Sequence, residues 1–242
     1  MATEYNMADY ESDEDGEEFI NLPPEQNLSS TALFLQSLLA SHNIPHAITG
    51  GFSLRLRGSD RKARQIDFAV QPSGGMRQLK EVLRPCPRVR YPNICEGIMK
   101  IFVETGPGFD ECAEYRRIEV DLKAPGIAGS PLDLSKSRVE ITAKMHDGRN
   151  EKFTLLDLSH ALNGKLKVLY ERRYERDFED VAWFFANYPQ EIRKFSGDLD
   201  QYGLGVFFDS LGVDERTSWS DIVAGLDVDW EGNVEHAKAS AL

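Results

Sequence analysis

A glycine pair and a nearby aspartate are the residues of this sequence whose types and spacing could do chemistry. Gly50 and Gly51 follow a short apolar run, and Asp67 is the only acid of a second apolar run. Glycines at a strand-to-helix turn let backbone N–H groups approach an anion closely, because no Cβ lies in the way. A carboxylate on the neighbouring strand can hold a metal ion that bridges to that anion. Such turns also take glycine for geometry alone, which leaves a purely structural explanation open.

These residues need elements that hold them in place. The surrounding pattern predicts a strand at 46–49, the glycine turn, a short helix at 52–57, and, after a loop, a buried strand at 65–70. Upstream, apolar residues at positions i, i+4, i+7 and i+11 predict a helix from residue 27 to about 43. Further predicted elements are a helix at 76–83, strands at 88–91, 97–104 and 117–123, a hairpin of strands at 139–143 and 151–155, and two packed helices between 157 and 188.

The order of these residues resembles the active-site entry of the nucleotidyltransferase superfamily, in particular the abortive-infection-toxin and aminoglycoside-nucleotidyltransferase-like branch. That family has a glycine pair, a short helix, a further glycine, and then Arg-x-Thr-x-Asp-Ile-Asp before apolar residues. Laid on this chain without a gap, the pattern places its glycine pair on Gly50 and Gly51 and its arginine on Arg61. The second metal aspartate falls on Asp67, whereas the first falls on an amide, Gln65.

The resemblance also implies a third carboxylate on a later apolar strand, and Asp121 occupies that place. In such sites two magnesium ions about 3.5–4 Å apart clamp the attacking and leaving oxygens of a phosphoryl displacement. The implied ligands are Asp67, Asp121 and Gln65, with Glu119 in reserve, although a solvated strand-end acid is the commoner explanation for Glu119. An amide oxygen brings no negative charge. Gln65 therefore leaves two explanations open: a decayed site that still folds, or an enzyme with one metal ion or with an acid or base from elsewhere.

The resemblance implies that a nucleotide binds at the glycine pair. Ser53 and the backbone N–H groups beside it would meet a terminal phosphate, together with Arg61. A basic cluster around this point would attract polyphosphate or RNA if it faces the cleft, and is solubilising if it lines an outer helix. Its members are Arg55, Arg57, Arg61, Lys62 and Arg64.

The second half of the sequence continues the resemblance. Family members carry a lysine on a helix, an arginine-containing turn, and a basic residue before Asp-aromatic-x-Asp. Lys165 matches the lysine, and Asp177 and Asp180 match the two acids. The resemblance implies that Lys165 points at the triphosphate or stabilises the leaving group; a snorkelling surface lysine is the alternative. Arg173 or Arg176 would pair with the two acids and join the helices.

Charge and composition narrow the function classes. The formal net charge is −12, but eight acids lie among the first eighteen residues without any lysine or arginine, so the rest carries −4. This balance does not predict non-specific DNA binding. The acidic start is poor in aliphatic residues and predicts a disordered tail over residues 1–24. Three cysteines without a CxxC pair indicate reduced thiols, and no membrane segment or secretory signal is visible, so we predict a cytoplasmic protein.

The combined prediction is an α/β (α+β) fold with a nucleotidyltransferase-like mixed sheet flanked by helices. The tail at 1–24 precedes a core at 25–145, and a C-terminal hairpin and helical region at 146–242 packs on that core. The resemblance implies a protein that binds a nucleoside triphosphate with Mg and transfers a nucleotidyl group to a small molecule, a protein or an RNA such as tRNA. The alternatives are a pseudoenzyme that acts as a binding module, and a fold repurposed for another transfer reaction.

Overall fold

The structure is a computed structural model that describes residues 1–6, 22–145 and 147–211. The chain divides into two compact units, the first spanning Met1–Leu156 and the second beginning at Asp157. Most of the predicted disordered tail, residues 7–21, lies outside the described residues.

Within the described residues, the first unit contains a mixed sheet of eight strands. Their order across the sheet is β1-β4-β5-β6-β3-β2-β8-β7. The neighbours β3 and β6 run parallel, whereas β2 and β3 run antiparallel. With its flanking helices this is the predicted α/β class. The strands are Thr3–Tyr5 (β1), His46–Thr49 (β2), Ile66–Val70 (β3), Val89–Pro92 (β4), Ile98–Thr105 (β5), Arg116–Lys123 (β6), Arg138–Lys144 (β7) and Asn150–Leu156 (β8).

Three helices accompany this sheet, and four more lie in the described part of the second unit. Each predicted helix is present, with bounds that differ by a few residues from those expected. Those of the first unit are Glu25–Ser41 (α1), Gly50–Leu56 (α2) and Gly75–Leu83 (α3). Those of the second unit are Leu158–Arg172 (α4), Glu175–Asn187 (α5), Pro189–Arg193 (α6) and Gln201–Ser210 (α7).

The core of the first unit is formed by the apolar faces of its helices and strands. On α1, Leu28, Ala32, Leu35 and Leu39 share one face and are all buried, as their spacing predicts. All five residues of β3 are buried, since this strand lies inside the sheet and is covered on both faces. On β6 the burial alternates, so that apolar side chains enter the core while Glu119 and Asp121 lie on the opposite face. The sheet therefore presents a polar face where its central strands end.

Two parts of the domain prediction need correction. Residues 3–5, expected to be disordered, form β1 and pair in parallel with β4. There the Tyr5 hydroxyl donates a hydrogen bond to the Lys100 carbonyl oxygen at 2.7 Å. The predicted boundary at 145/146 places β8 in the C-terminal region, but β8 pairs with β2 at Ile48 and Leu155 and so belongs to the sheet. Neither pairing is visible in sequence, because both join distant segments.

No helix in the described part of the chain combines the length and the apolar character that crossing a membrane requires.

Candidate functional site

The glycine corner between β2 and α2 is built around the carboxylate of Asp67. Gly50 has a φ of +69°, a conformation that L side chains rarely adopt. A Cβ on Gly50 would lie 2.0 Å from Asp67 Oδ2, so the backbone of the turn rests directly on that carboxylate. The antiparallel pairing of Thr49 with Asp67 sets this approach. Glycine is thus required at Gly50 for both its backbone angle and its lack of a side chain.

The two acids far apart in the chain meet on one face of the sheet. Asp67 on β3 is in register with Asp121 on the parallel strand β6. Residues directly opposite each other on neighbouring strands point to the same face. Gln65, two residues before Asp67, donates from Nε2 to Asp121 Oδ2 at 3.3 Å. The structure therefore brings Gln65, Asp67 and Asp121 into one group.

Two lysines that the sequence analysis did not assign to the site join this group. Lys123 Nζ lies 2.8 Å from Asp67 Oδ1, and both side chains are largely buried, with 15% and 12% of their surface exposed. Lys100, opposite Asp121 on β5, places Nζ 3.3 Å from Asp121 Oδ1 and also pairs with Glu119. The alternation along β5 and β6 puts these lysines on the acidic face. The alternation can be recognised in the sequence, but which acid each lysine pairs with becomes identifiable only once the strand register is known.

Asp121 is the acid of this group with an unfavourable environment for its charge. Its Oδ1 is buried without a hydrogen bond among the described residues, because the Lys100 ammonium nearby is close enough for an ion pair but poorly aligned for a hydrogen bond. Burial raises the pKa of Asp121 above its usual value, and the neighbouring Asp67 and Glu119 raise it further. Lys100 and Lys123 oppose this change without cancelling it. The ionised form of Asp121 is therefore held at a cost in stability.

We expect Asp121→Asn to raise the free energy of unfolding at pH 7 by about 1 kcal/mol, since the amide removes a buried charge and can still accept from Gln65. Because the pKa is raised in the folded state, the parent gains stability relative to the variant as the pH falls through that raised value. Urea unfolding of both proteins from pH 7 to pH 4 should show the difference shrinking. Asp67→Asn is the contrast: it removes the partner of Lys123 and should destabilise the fold. A less stable Asp121→Asn protein at pH 7 would contradict this account.

The predicted phosphate-contacting residues differ in their surroundings. A Cβ on Gly51 would lie 3.8 Å from Arg61 Nε, so Arg61 lies against the glycine corner. The Ser53 hydroxyl is buried and donates to the Gly50 carbonyl oxygen at 2.8 Å, which holds the turn closed. Arg55 pairs with Glu25 at 2.7 Å, and Arg57 donates to the Leu156 carbonyl oxygen. Among these residues Arg61 is the cation beside the glycine pair.

The fold is similar to that of solved nucleotidyltransferase-like structures. An antigenic nucleotidyltransferase-like protein from Paracoccidioides brasiliensis matches with a TM-score of 0.54 and 17% identity, over 83% of this chain and 94% of that one. The chain has a nucleotidyltransferase-like fold. The resemblance inferred from the glycine corner is thereby confirmed for the fold, and at this identity the similarity carries nothing about chemistry.

Two other similar structures have lower scores. JHP933 from Helicobacter pylori matches with a TM-score of 0.47 and 12% identity, over 91% of this chain and 97% of that one. The lincosamide antibiotic adenylyltransferase LnuA, in a lincomycin-bound structure, matches with a TM-score of 0.40 and 14% identity, over 68% of this chain and 98% of that one. No protein-family model matches the sequence, and no curated protein matches it significantly.

The nucleotidyltransferase-like resemblance implies magnesium, and the residues on the polar face can be tested against it. A magnesium ion needs near-octahedral oxygen ligands and keeps several waters. Here Oδ1 of Asp67 already binds the Lys123 ammonium, Asp121 lies beside Lys100, and Gln65 is neutral. Among the described residues, no three His, Cys, Asp or Glu side chains are grouped to hold a metal ion. This donor set does not fit a pair of metal ions.

Lys165 lies on α4 in the second unit. Its Nζ is 2.6 Å from Oδ2 of Asp180 on α5, and only 13% of the lysine side chain and 2% of the aspartate side chain are exposed. The other acid, Asp177, pairs with Arg172 at 3.1 Å, rather than with Arg173 or Arg176 as we expected. Arg173 ends α4 in the left-handed conformation with a φ of +55°. Within the second unit, the ion pair of Lys165 with Asp180 therefore joins α4 to α5, a role that we predicted for Arg173 or Arg176.

Proposed function

We propose that this chain binds a nucleoside triphosphate at the glycine corner of its nucleotidyltransferase-like fold. The observation that carries the proposal is the contact between the Gly50 turn and the Asp67 carboxylate, with Arg61 beside Gly51. This contact brings a half-buried backbone turn, an acid and a guanidinium together at one point. It is the arrangement that the resemblance requires for a triphosphate.

The chemistry of these groups supports a phosphate ligand. The first N–H groups of a helix have no partner within the helix, and Gly50 and Gly51 are the first two residues of α2. An arginine guanidinium binds phosphate oxygens through two parallel N–H donors, which fixes orientation as well as charge. The Ser53 hydroxyl contributes by holding the turn, since its own hydrogen bond goes to the Gly50 carbonyl oxygen.

Nucleotidyl transfer to a small molecule, RNA or protein acceptor is the second candidate. It is favoured by the register of Asp67 with Asp121, which sets two carboxylates side by side on one face. Magnesium would supply charge neutralisation at the reacting phosphate when bound. For Asp67 to ligate it through Oδ1, the Lys123 ammonium would have to move away. The binding proposal needs no such rearrangement and is therefore the stronger one.

Calorimetric titration of the full chain with ATP, GTP, CTP and UTP tests the binding proposal. We expect saturable binding of at least one of them, and Arg61→Gln is expected to weaken it by roughly ten-fold because a charge-assisted phosphate contact is lost. Arg64→Gln is the matched control: it removes the same charge from the same basic run, at an exposed position. Equal losses in the two variants would indicate a diffuse charge effect and not a site at the glycine corner. A parallel assay for transfer of α-labelled nucleoside monophosphate tests the second candidate.

A further inference from the structure

The polar face of the sheet carries its own cations where the resemblance leads one to expect metal ions. Lys123 binds Asp67, and Lys100 lies between Asp121 and Glu119. Three carboxylates are thus paired with two ammonium groups, and both lysine side chains are only 15% exposed. A lysine this buried beside a fixed acid is held in place rather than free to sample solvent. Before any metal ion is added, these two ammonium groups offset two of the three carboxylate charges.

Lys123 is connected to the glycine corner through a single carboxylate. One oxygen of Asp67, Oδ2, rests against the Gly50 backbone, and the other, Oδ1, binds Lys123 Nζ. Only the Asp67 side chain therefore separates Lys123 from the turn that is proposed to bind the triphosphate. An ammonium group is a compact point charge with three donors, so it can bind phosphate while one N–H stays on Asp67.

We propose that this chain binds its nucleoside triphosphate without a divalent cation, and that the Lys123 ammonium, oriented by Asp67, takes the position of a metal ion against the phosphates. This inference rests on the proposed nucleotide site. No covalent step is involved: the ligand is the metal-free triphosphate anion, and Lys100 stays paired with Asp121 and Glu119. A triphosphate without magnesium carries more negative charge than its magnesium complex, and a fixed ammonium group favours the more charged form.

The deciding experiment repeats the titration of the full chain with the four triphosphates in EDTA and in excess magnesium. We expect binding in EDTA to be at least as tight as binding in magnesium. In EDTA, Lys123→Gln should weaken binding by roughly ten-fold or more, and Lys123→Arg, which keeps the charge, should retain more of the affinity. Lys152→Gln is the matched control, because this exposed lysine pairs with Glu140 on the hairpin and its loss changes the net charge equally.

The outcomes separate this inference from the proposed function. Binding that requires magnesium would overturn the inference while supporting the nucleotide site. Saturable binding of Mn²⁺ that Asp67→Asn abolishes would also overturn the inference. Unchanged affinity of the folded Lys123→Gln protein for the triphosphate in EDTA would overturn it as well. The comparison of the two buffers needs no variant, so it decides even if Lys123→Gln fails to fold. Absence of binding in both buffers would overturn the nucleotide site itself and, with it, this inference.

Discussion

Replacing Gly50 by alanine is expected to lower the free energy of unfolding of the first unit by about 3 kcal/mol, through two separate effects. The backbone at Gly50 has a φ of +69°, which costs a residue with a Cβ about 1–2 kcal/mol. The new Cβ would also lie 2.0 Å from Asp67 Oδ2, so the carboxylate or the turn must shift. Urea unfolding followed by circular dichroism measures the sum. Any shift of Asp67 also loosens Lys123, so nucleotide binding in EDTA should fall in the same variant.

Two neighbouring glycines provide matched controls for these two effects. Gly58 also has a positive φ, +100°, but a Cβ there would meet nothing within 4 Å, so Gly58→Ala should show the backbone cost alone. Gly51 lacks a positive φ, and its nearest added contact would be Arg61 Nε at 3.8 Å, so Gly51→Ala should be close to neutral in stability. The expected order of destabilisation is Gly50, then Gly58, then Gly51. Equal losses at Gly50 and Gly58 would mean that the contact with Asp67 imposes no cost of its own.

The sequence was sufficient to predict the local elements that build the candidate site. Strand, glycine turn, helix and strand follow one another within residues 46–70, and their signals are apolar runs interrupted by Gly50 and Gly58. Asp67 was identifiable because it is the only acid of a buried strand. Its neighbour Asp121 came from the resemblance, and only the register of β3 with β6 brings the two acids side by side.

The partners of these acids could not be predicted in the same way. Lys100 and Lys123 lie on strands whose alternation was recognised, but alternation gives the face of a side chain and not its partner across the sheet. β1 was missed because it is only three residues long, lies next to a strongly acidic segment, and pairs with a strand more than eighty residues away. Long-range pairing of this kind depends on the folded sheet, for which the sequence carries no local signal.

The lysines also change how Gln65 is interpreted. From the sequence, the amide at the first metal aspartate position left two explanations open: a decayed site, or an enzyme with one metal ion or with an acid or base from elsewhere. In the structure the amide donates to Asp121 while two ammonium groups offset two of the three carboxylate charges, so a neutral residue at this position fits a face that offsets most of its charge internally. An aspartate at Gln65 would add a fourth carboxylate to this face. If the charge balance is correct, Gln65→Asp destabilises the fold; if the site is a decayed metal site, the same change raises its affinity for Mn²⁺.

Replacing Lys165 by methionine is expected to lower the free energy of unfolding by about 3–5 kcal/mol, because it takes the Lys165 ammonium away from the buried Asp180 carboxylate. Asp180 is 2% exposed and receives the Lys165 ammonium at 2.6 Å, so water cannot take over that contact. Chemical unfolding of the full chain, followed by tryptophan fluorescence, reports on this region through Trp183 on α5.

Two comparisons establish whether the loss at Lys165 belongs to the ion pair. Lys167→Met on the exposed side of the same helix should change stability by about 0.5 kcal/mol or less. The double variant Lys165→Met with Asp180→Asn should recover much of the loss, because the buried charge of Asp180 is removed together with that of Lys165. A Lys165→Met protein as stable as the parent but unable to bind a triphosphate would contradict this structural role. It would instead support the resemblance, in which this lysine faces the nucleotide and its contact with Asp180 is exchanged for one with phosphate.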